Sequence, residues 1–342
     1  MAQINKSSEY FNTKLYSGTG SAQSITGVGF QPDWTWIKNR DGSDWHILTD
    51  SVRGATKELY SNATNAEATN VNQLTSFDSD GFSIGGASET GRSSNNFASW
   101  NWLAANGTAS NTDGSITSTV SANTTSGFSI VSYTGTGANA TVGHGLGSAP
   151  KMIIFKNTNS VRDWGVYHGS LSDPDNYLTL NQAYAETTGF NFSNNTAPTT
   201  SVFSVGTLTN NNGSSEEYIA YCFSEVKGFS KFGSYTGNGN ADGTFVYTGF
   251  KPAFVLTKYA TSTSGWWQIL DNKRDVYNPN SHALFANVSD AEYNLSNYHT
   301  DYLSNGFKLR NTLAGGNTSG GTYIYMAFAE EPLVGDNPAT AR

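Results

Sequence analysis

A single cysteine, Cys222, leaves the chain without an internal disulfide and without any paired-cysteine metal motif. Charge is also scarce. Asp, Glu, Lys and Arg make up 13% of the 342 residues, about half the share in an ordinary soluble domain. What charge there is runs acidic, with a net value of −8 and a pI near 5.1. No Lys/Arg cluster offsets it locally, which argues against nucleic acid as a partner. No apolar run approaches the length of a membrane span, so membrane insertion is not expected. The opening Met1-Ala2-Gln3-Ile4-Asn5-Lys6-Ser7-Ser8 has no apolar signal core. Helical spacing is nearly absent, and its best candidate, Asp50 to Tyr60, is interrupted by Gly54.

What fills the gap is Gly, Ser, Thr and Asn, together with 8 Trp, 18 Tyr and 19 Phe. A disordered chain has few aromatics and much charge, so this one should fold. Many aromatics among many turn formers suit short strands joined by polar loops.

An internal repeat organises these residues. Tyr16-Ser17-Gly18-Thr19-Gly20, Tyr133-Thr134-Gly135-Thr136-Gly137 and Tyr235-Thr236-Gly237-Asn238-Gly239 share one pattern. Each is followed by a Gly-x-x-Pro segment ending at Pro32, Pro150 or Pro252. Six residues on stands a lysine: Lys38, Lys156 and Lys258. Tryptophans follow at Trp45, Trp164 and Trp266. The copies also close alike, on Phe82, Phe203 and Phe307 and then on the aromatic runs Ala98–Leu103, Tyr218–Phe223 and Tyr323–Phe328. Repeated landmarks in one order predict three copies of one unit.

The spacings divide the chain into an N-terminal arm (1–8), unit one (9–105), a polar linker (106–125), unit two (126–226), unit three (227–331) and a C-terminal tail (332–342). Units two and three join with almost no slack and should pack rigidly, while unit one has more freedom. Short apolar runs bounded by Gly, Pro, Asn or Asp read as strands. The predicted fold is all-β, as three tandem antiparallel β-sandwich, jelly-roll-like units. Met152 to Phe155 is apolar on both parities and suits a strand covered on both faces. Ser129 to Tyr133 alternates less cleanly, as an edge or outer strand would.

Chemistry is hard to find. The five histidines, His46, His144, His168, His282 and His299, occupy unrelated points of the repeat and show no ligand spacing. The one Gly-x-Ser-x-Gly string, Gly81-Phe82-Ser83-Ile84-Gly85, falls on the closing landmark of the first copy and is not read as a nucleophile elbow. Cys222 lies in an apolar strand and reads as a small core residue. The close acid pairs Glu216/Glu217, Glu330/Glu331, Asp173/Asp175 and Asp78/Asp80 lie at turns or strand ends, where solvated carboxylates are ordinary. Asp78 and Asp80 also resemble the start of a calcium loop, but Leu303-Ser304-Asn305-Gly306 in the third copy makes a turn the shared element. The Tyr-x-Gly-x-Gly openings read as turns, because no helix follows to receive phosphate. No catalytic residue, metal site or cofactor is therefore expected, and the chain is not read as an enzyme. In Trp266-Trp267, alignment with Trp45 and Trp164 makes Trp266 the core member. Trp267 is then the candidate ligand or subunit contact.

Phe128–Gly137, Val142–Ile154, Trp164–His168, Tyr218–Glu225, Gly228–Gly237 and the closing Asp336–Arg342 resemble a repeated domain of unknown function. That domain is found in structural proteins of marine tailed bacteriophages. The resemblance implies a virion structural protein, a tail fibre or tail appendage in assembly or host attachment. Two alternatives are a capsid decoration or head-fibre protein and a secreted carbohydrate-binding module. The partners it implies are other virion proteins, further copies of the chain as a homo-oligomer with a trimer favoured, and a host cell-surface glycan.

Overall fold

A computed structural model describes residues 4–312 and 315–332. They form an almost wholly β structure of antiparallel sheets. The first main sheet runs, in spatial order, Phe11–Ser17, Asn96–Trp102, Trp34–Asn39 and Ile47–Asp50. The second has Phe128–Thr134, Glu217–Phe223, Met152–Asn157 and Gly165–His168 in the same relative order. The third has Ser230–Thr236, Thr322–Pro332, Phe250–Tyr259 and Trp267–Asp271. In each, the opening and closing strands of one chain segment lie side by side, so that the segment closes on itself.

The Tyr-x-Gly-x-Gly openings serve this closure. The hydroxyls of Tyr16, Tyr133 and Tyr235 donate to the carbonyls of Thr90, Asn211 and Gly316, just before each closing strand. Their rings stack on Phe97, Tyr218 and Tyr323 of that strand. The first glycine of each motif has a backbone atom of the opposing loop within 2.4 Å of where a Cβ would stand, so only glycine fits. The turn reading of this motif agrees with the structure.

Each main sheet is faced by a smaller one. Gln23–Thr26, Gly81–Ile84 and Leu74–Asp78 form the first outer sheet. Ala140–Gly143 and Val202–Val205 form the second, and Phe245–Tyr247, Gly306–Leu309 and Thr300–Leu303 the third. Between main and outer sheet lie three separate apolar clusters. The opposite, inward faces of all three main sheets meet in one cluster. Met152–Phe155 is covered on both faces as expected: Met152 and Ile154 enter the shared cluster, while Ile153 and Phe155 face outward.

The shared cluster is rich in rings. Trp34 of the first sheet stacks on Tyr221 of the second at 4.3 Å. Phe11 stacks on Phe328 of the third at 4.9 Å, and Trp102 meets Phe254 edge-on at 5.9 Å. Phe223 meets Phe328 at 6.1 Å. Hydrogen bonds then close the three segments into a ring. Glu67 N–H donates to Thr158 O, Glu186 N–H to Ala260 O and Glu292 N–H to Arg40 O, at 2.7–2.8 Å. Across two of the seams, an indole N–H donates to a carbonyl, Trp164 to Tyr60 and Trp267 to Thr179, each at 2.9 Å. The buried carboxylates Asp50 and Asp271 accept from Tyr221 and Trp100 of a neighbouring segment and pair with Arg53 and Arg274.

Several expectations change. The first segment is not freer than the others; it is bonded to both. Residues 106–125 hold two strands, Ala109–Asn111 and Ser118–Asn123, which extend the second sheet beyond Phe128–Thr134. Ser129 to Tyr133 is therefore an interior strand. Ser115 to Ser118 also bonds along Ala140–Gly143, so the stretch covers one edge of the second main sheet and one edge of its outer sheet. Ser118 and Ser121, on opposite faces of the second strand, are buried but polar, which hid the strand pattern. Asp50 to Tyr60 is a turn followed by the short strand Lys57–Glu58 rather than a helix, with Asp50 Oδ1 accepting from Val52 and Arg53 N–H. In the N-terminal arm, Ile4 is buried in the shared cluster. Residues 1–3 of that arm and 333–342 of the tail lie outside the described residues.

Arg274 and Asp271 have fully buried side chains, so removing one partner strands a charge. Arg274→Met should lower stability in urea unfolding by about 3–5 kcal/mol. Arg92→Met, which breaks the exposed pair with Asp44, should cost less than about 1 kcal/mol.

Candidate interaction surface

Lys38, Lys156 and Lys258 are fully buried, and each sits near the end of a main-sheet strand beside a seam. Lys38 Nζ donates to Asn39 O and Gly42 O at 2.7 and 2.9 Å. Lys156 Nζ donates to Arg162 O at 2.8 Å and to Thr64 O of the first segment at 3.0 Å. Lys258 Nζ donates to Gly265 O and to Ala183 O of the second segment. Burial lowers all three, Lys38 to about 8 and Lys156 and Lys258 to about 7. A neutral amine still carries two N–H donors, enough for two carbonyls. Lys156 and Lys258 thus fasten seams, while Lys38 ties together the turn of its own segment.

Elsewhere, several groups that could do chemistry are occupied or sealed. Glu216 accepts from Arg162, Asn157 and Tyr218. Asp80 accepts from Gly27 and Gly29 N–H, and Asp78 from Ser76 and Ser83. Asp175 caps Ser193 and Asn195, and Glu330 pairs with Lys251. Burial pushes the Cys222 thiol far above its ordinary range. His168 is lowered to about 4 by burial, and its Nδ1 accepts from Ser170 N–H. Among the described residues no group of three or more His, Cys, Asp or Glu is placed to hold a metal ion.

Trp267 does not stand where its sequence assignment put it. It is 1% exposed, inside the shared cluster, while Trp266 is half-buried against Phe285. Sheet pairing shows why. Lys258 lies opposite Trp267, whereas Trp164 and His46 each directly precede the second strand of their pair. The third segment has one extra residue in the intervening turn, so matching the tryptophans by identity slipped the alignment by one. A one-residue slip exchanges the two faces of a strand. Trp267 is therefore no surface contact.

The surface offers two other features. A cavity of about 290 Å³ opens beside the second and third segments, lined by Lys151, His168, Ser170, Glu225, Lys231 and Phe232. His168 holds the strand position that Asp50 and Asp271 hold in the other sheets, where each binds an arginine. Within the cavity lining Lys231 is paired with Glu225 at 2.7 Å. The second feature is a set of exposed rings, Trp45, Tyr184, Phe190, Phe245, Tyr247 and Tyr277. Only Phe245 and Tyr247 of these lie two apart on one strand. Sequence reasoning missed them because their run, Phe245-Val246-Tyr247, reads as continuous apolar core.

Residues 6–332 match a family described as Domain of unknown function (DUF7483). The chain belongs to that family. No curated protein and no solved structure matches it. The match spans all three main sheets, from the first strand to the last.

The buried lysines predict a pH dependence. Their folded-state values lie below the unfolded value of about 10.4, so the unfolded chain binds more protons in between. Stability should rise from about pH 7 to about pH 9.5, before the buried tyrosines begin to oppose the trend. Lys258→Met leaves two carbonyls without their donor and should cost about 1–3 kcal/mol at pH 9. The difference from the natural chain should shrink at pH 6.5. Melting temperatures across that range test this, and a flat profile for the natural chain would contradict neutral buried lysines.

Proposed function

We propose that the chain is a non-enzymatic structural or adhesive component of a bacteriophage particle, a tail fibre or tail-associated appendage serving assembly or host attachment. On this reading it is built from three copies of one β unit, each a main sheet faced by an outer sheet. The three pack around a common centre rather than as beads in a row. The observation that carries the reading is the ring closure itself. Three sheets share one aromatic core, and their seams are fastened by carbonyls, buried lysines and buried ion pairs. Such a block needs no disulfide, metal or cofactor to hold its shape, which suits a part that works outside the cell. Its scarce charge and Asn/Thr-rich surface fit the same setting.

Other virion proteins and further copies of the chain are the proposed protein partners, with a trimer of chains as the favoured homo-oligomer and a host-surface glycan as the receptor class. Placement on the virion is proposed on the tail; the head would suit the same block as a decoration protein. Electron microscopy of purified particles labelled with an antibody to the chain tests both. Label on the tail is expected. Label on the capsid would support the head reading, and particles without the chain would overturn both.

A further inference from the structure

On the third outer sheet, side chains alternate between core and solvent. Val246, Phe307 and Tyr302 point into the apolar cluster beneath. Phe245, Lys308 and Asp301 then form one outward row across the three strands, and Tyr247, Gly306 and Leu303 form the next. Phe245 is 43% exposed and Tyr247 58%.

The other outer sheets supply an internal comparison. Ile25 opposite Phe82 and Val142 opposite Phe203 match Val246 opposite Phe307. The outward neighbours there are Ser24 and Thr26 in the first segment, and Thr141 and Gly143 in the second. In the first segment they extend a ladder of hydroxyls, with Ser24 bonded to Ser83 and Ser83 donating to Asp78. The sheet is thus built twice with small residues where the third segment exposes two rings. Phe245 has a partial structural role, since its ring edge covers Gly306, where a Cβ would be 3.1 Å away. Tyr247 likewise lies over Gly249, where a Cβ would be 3.5 Å from its hydroxyl, yet it stays 58% exposed.

The surroundings narrow the occupant. Two half-exposed rings offer roughly 200 Å². A stable protein partner needs about 800 Å² per side, so the patch is too small for a second copy. Lys308 pairs with Asp242 at 2.7 Å, and Arg310 with Asp301 at 2.6 Å. Two cations and two anions cancel, so the face does not select a charged ligand. It presents fixed donors and acceptors beside flat rings. The negative faces of those rings attract the polarised C–H edge of a ligand. A pyranose has one such apolar C–H face and a rim of hydroxyls.

We infer that the outer face of the third segment, centred on Phe245 and Tyr247 with Lys308 and Asp301 beside them, binds a neutral pyranose glycan. This deepens the attachment reading above and rests on it only for the source of the glycan on a host surface. The test is made on the isolated full-length chain, so its failure is distinct from absence of the chain in particles. The probes are immobilised neutral oligosaccharides of glucose, galactose, mannose and N-acetylglucosamine. The natural chain should bind at least one of them. Phe245→Ser combined with Tyr247→Thr copies the first segment's residues and should weaken binding at least tenfold while the chain stays folded, with a melting temperature lowered by no more than a few degrees. Should the double variant unfold, Tyr247→Ala alone should show the same loss. The inference is overturned by absence of binding to every probe, or by binding that Tyr247→Ala leaves unchanged. A change in sedimentation rather than in glycan binding would also overturn it, in favour of self-association.

Discussion

The structure depends on the burial of the inward faces of three main sheets against one another. A sheet with one covered face still has to hide the other, and no segment here can do that alone. Trp34, Phe11, Trp102, Tyr221, Phe223, Phe254 and Phe328 come from all three segments and touch across the centre. Aromatic pairs add about 0.5–1.5 kcal/mol each beyond the area they bury. A cluster of them, at the point where three sheets converge, makes the segments interdependent.

The seams show how a chain poor in charge places the little it has. Lys38, Lys156 and Lys258 are spent on carbonyls rather than on solvent, and the last two reach across a seam. Two of the arginines neutralise buried aspartates that reach into a neighbouring segment. The third seam departs from this pattern. His168 stands in place of the aspartate and bonds to Tyr325 O, and the polar cavity lies beside it. The three seams are thus alike in backbone bonding and different in side-chain chemistry. Two seams thus carry a buried aspartate–arginine pair, and the third carries a histidine in its place.

Much of this was legible in the sequence because the signals were local. The Tyr-x-Gly-x-Gly turns, the Gly-x-x-Pro segments and the spacing to Lys38, Lys156 and Lys258 each reflect one strand or one turn. Strand type was legible for the same reason, as at Met152–Phe155. Ring closure was not, because the bonds from Glu292 to Arg40 and from Trp100 to Asp271 join residues far apart in the chain. The strands within 106–125 were hidden by Ser118 and Ser121, which are buried through hydrogen bonds rather than apolarity. The assignment of Trp267 failed over a single residue in a turn, enough to exchange core for surface. Phe245 and Tyr247 were overlooked for the converse reason: an exposed aromatic on a short strand carries no mark that separates it from core.

The tryptophans make interdependence measurable, since they lie in all three segments: Trp34, Trp36, Trp100 and Trp102 in the first, Trp164 in the second and Trp267 in the third. Equilibrium urea unfolding of the full chain, followed by tryptophan fluorescence and by far-ultraviolet circular dichroism, reads both the core and the sheets. One cooperative transition with coincident midpoints is expected if the segments share a core. Two or three separated transitions, with one segment unfolding while the others stay intact, would contradict it.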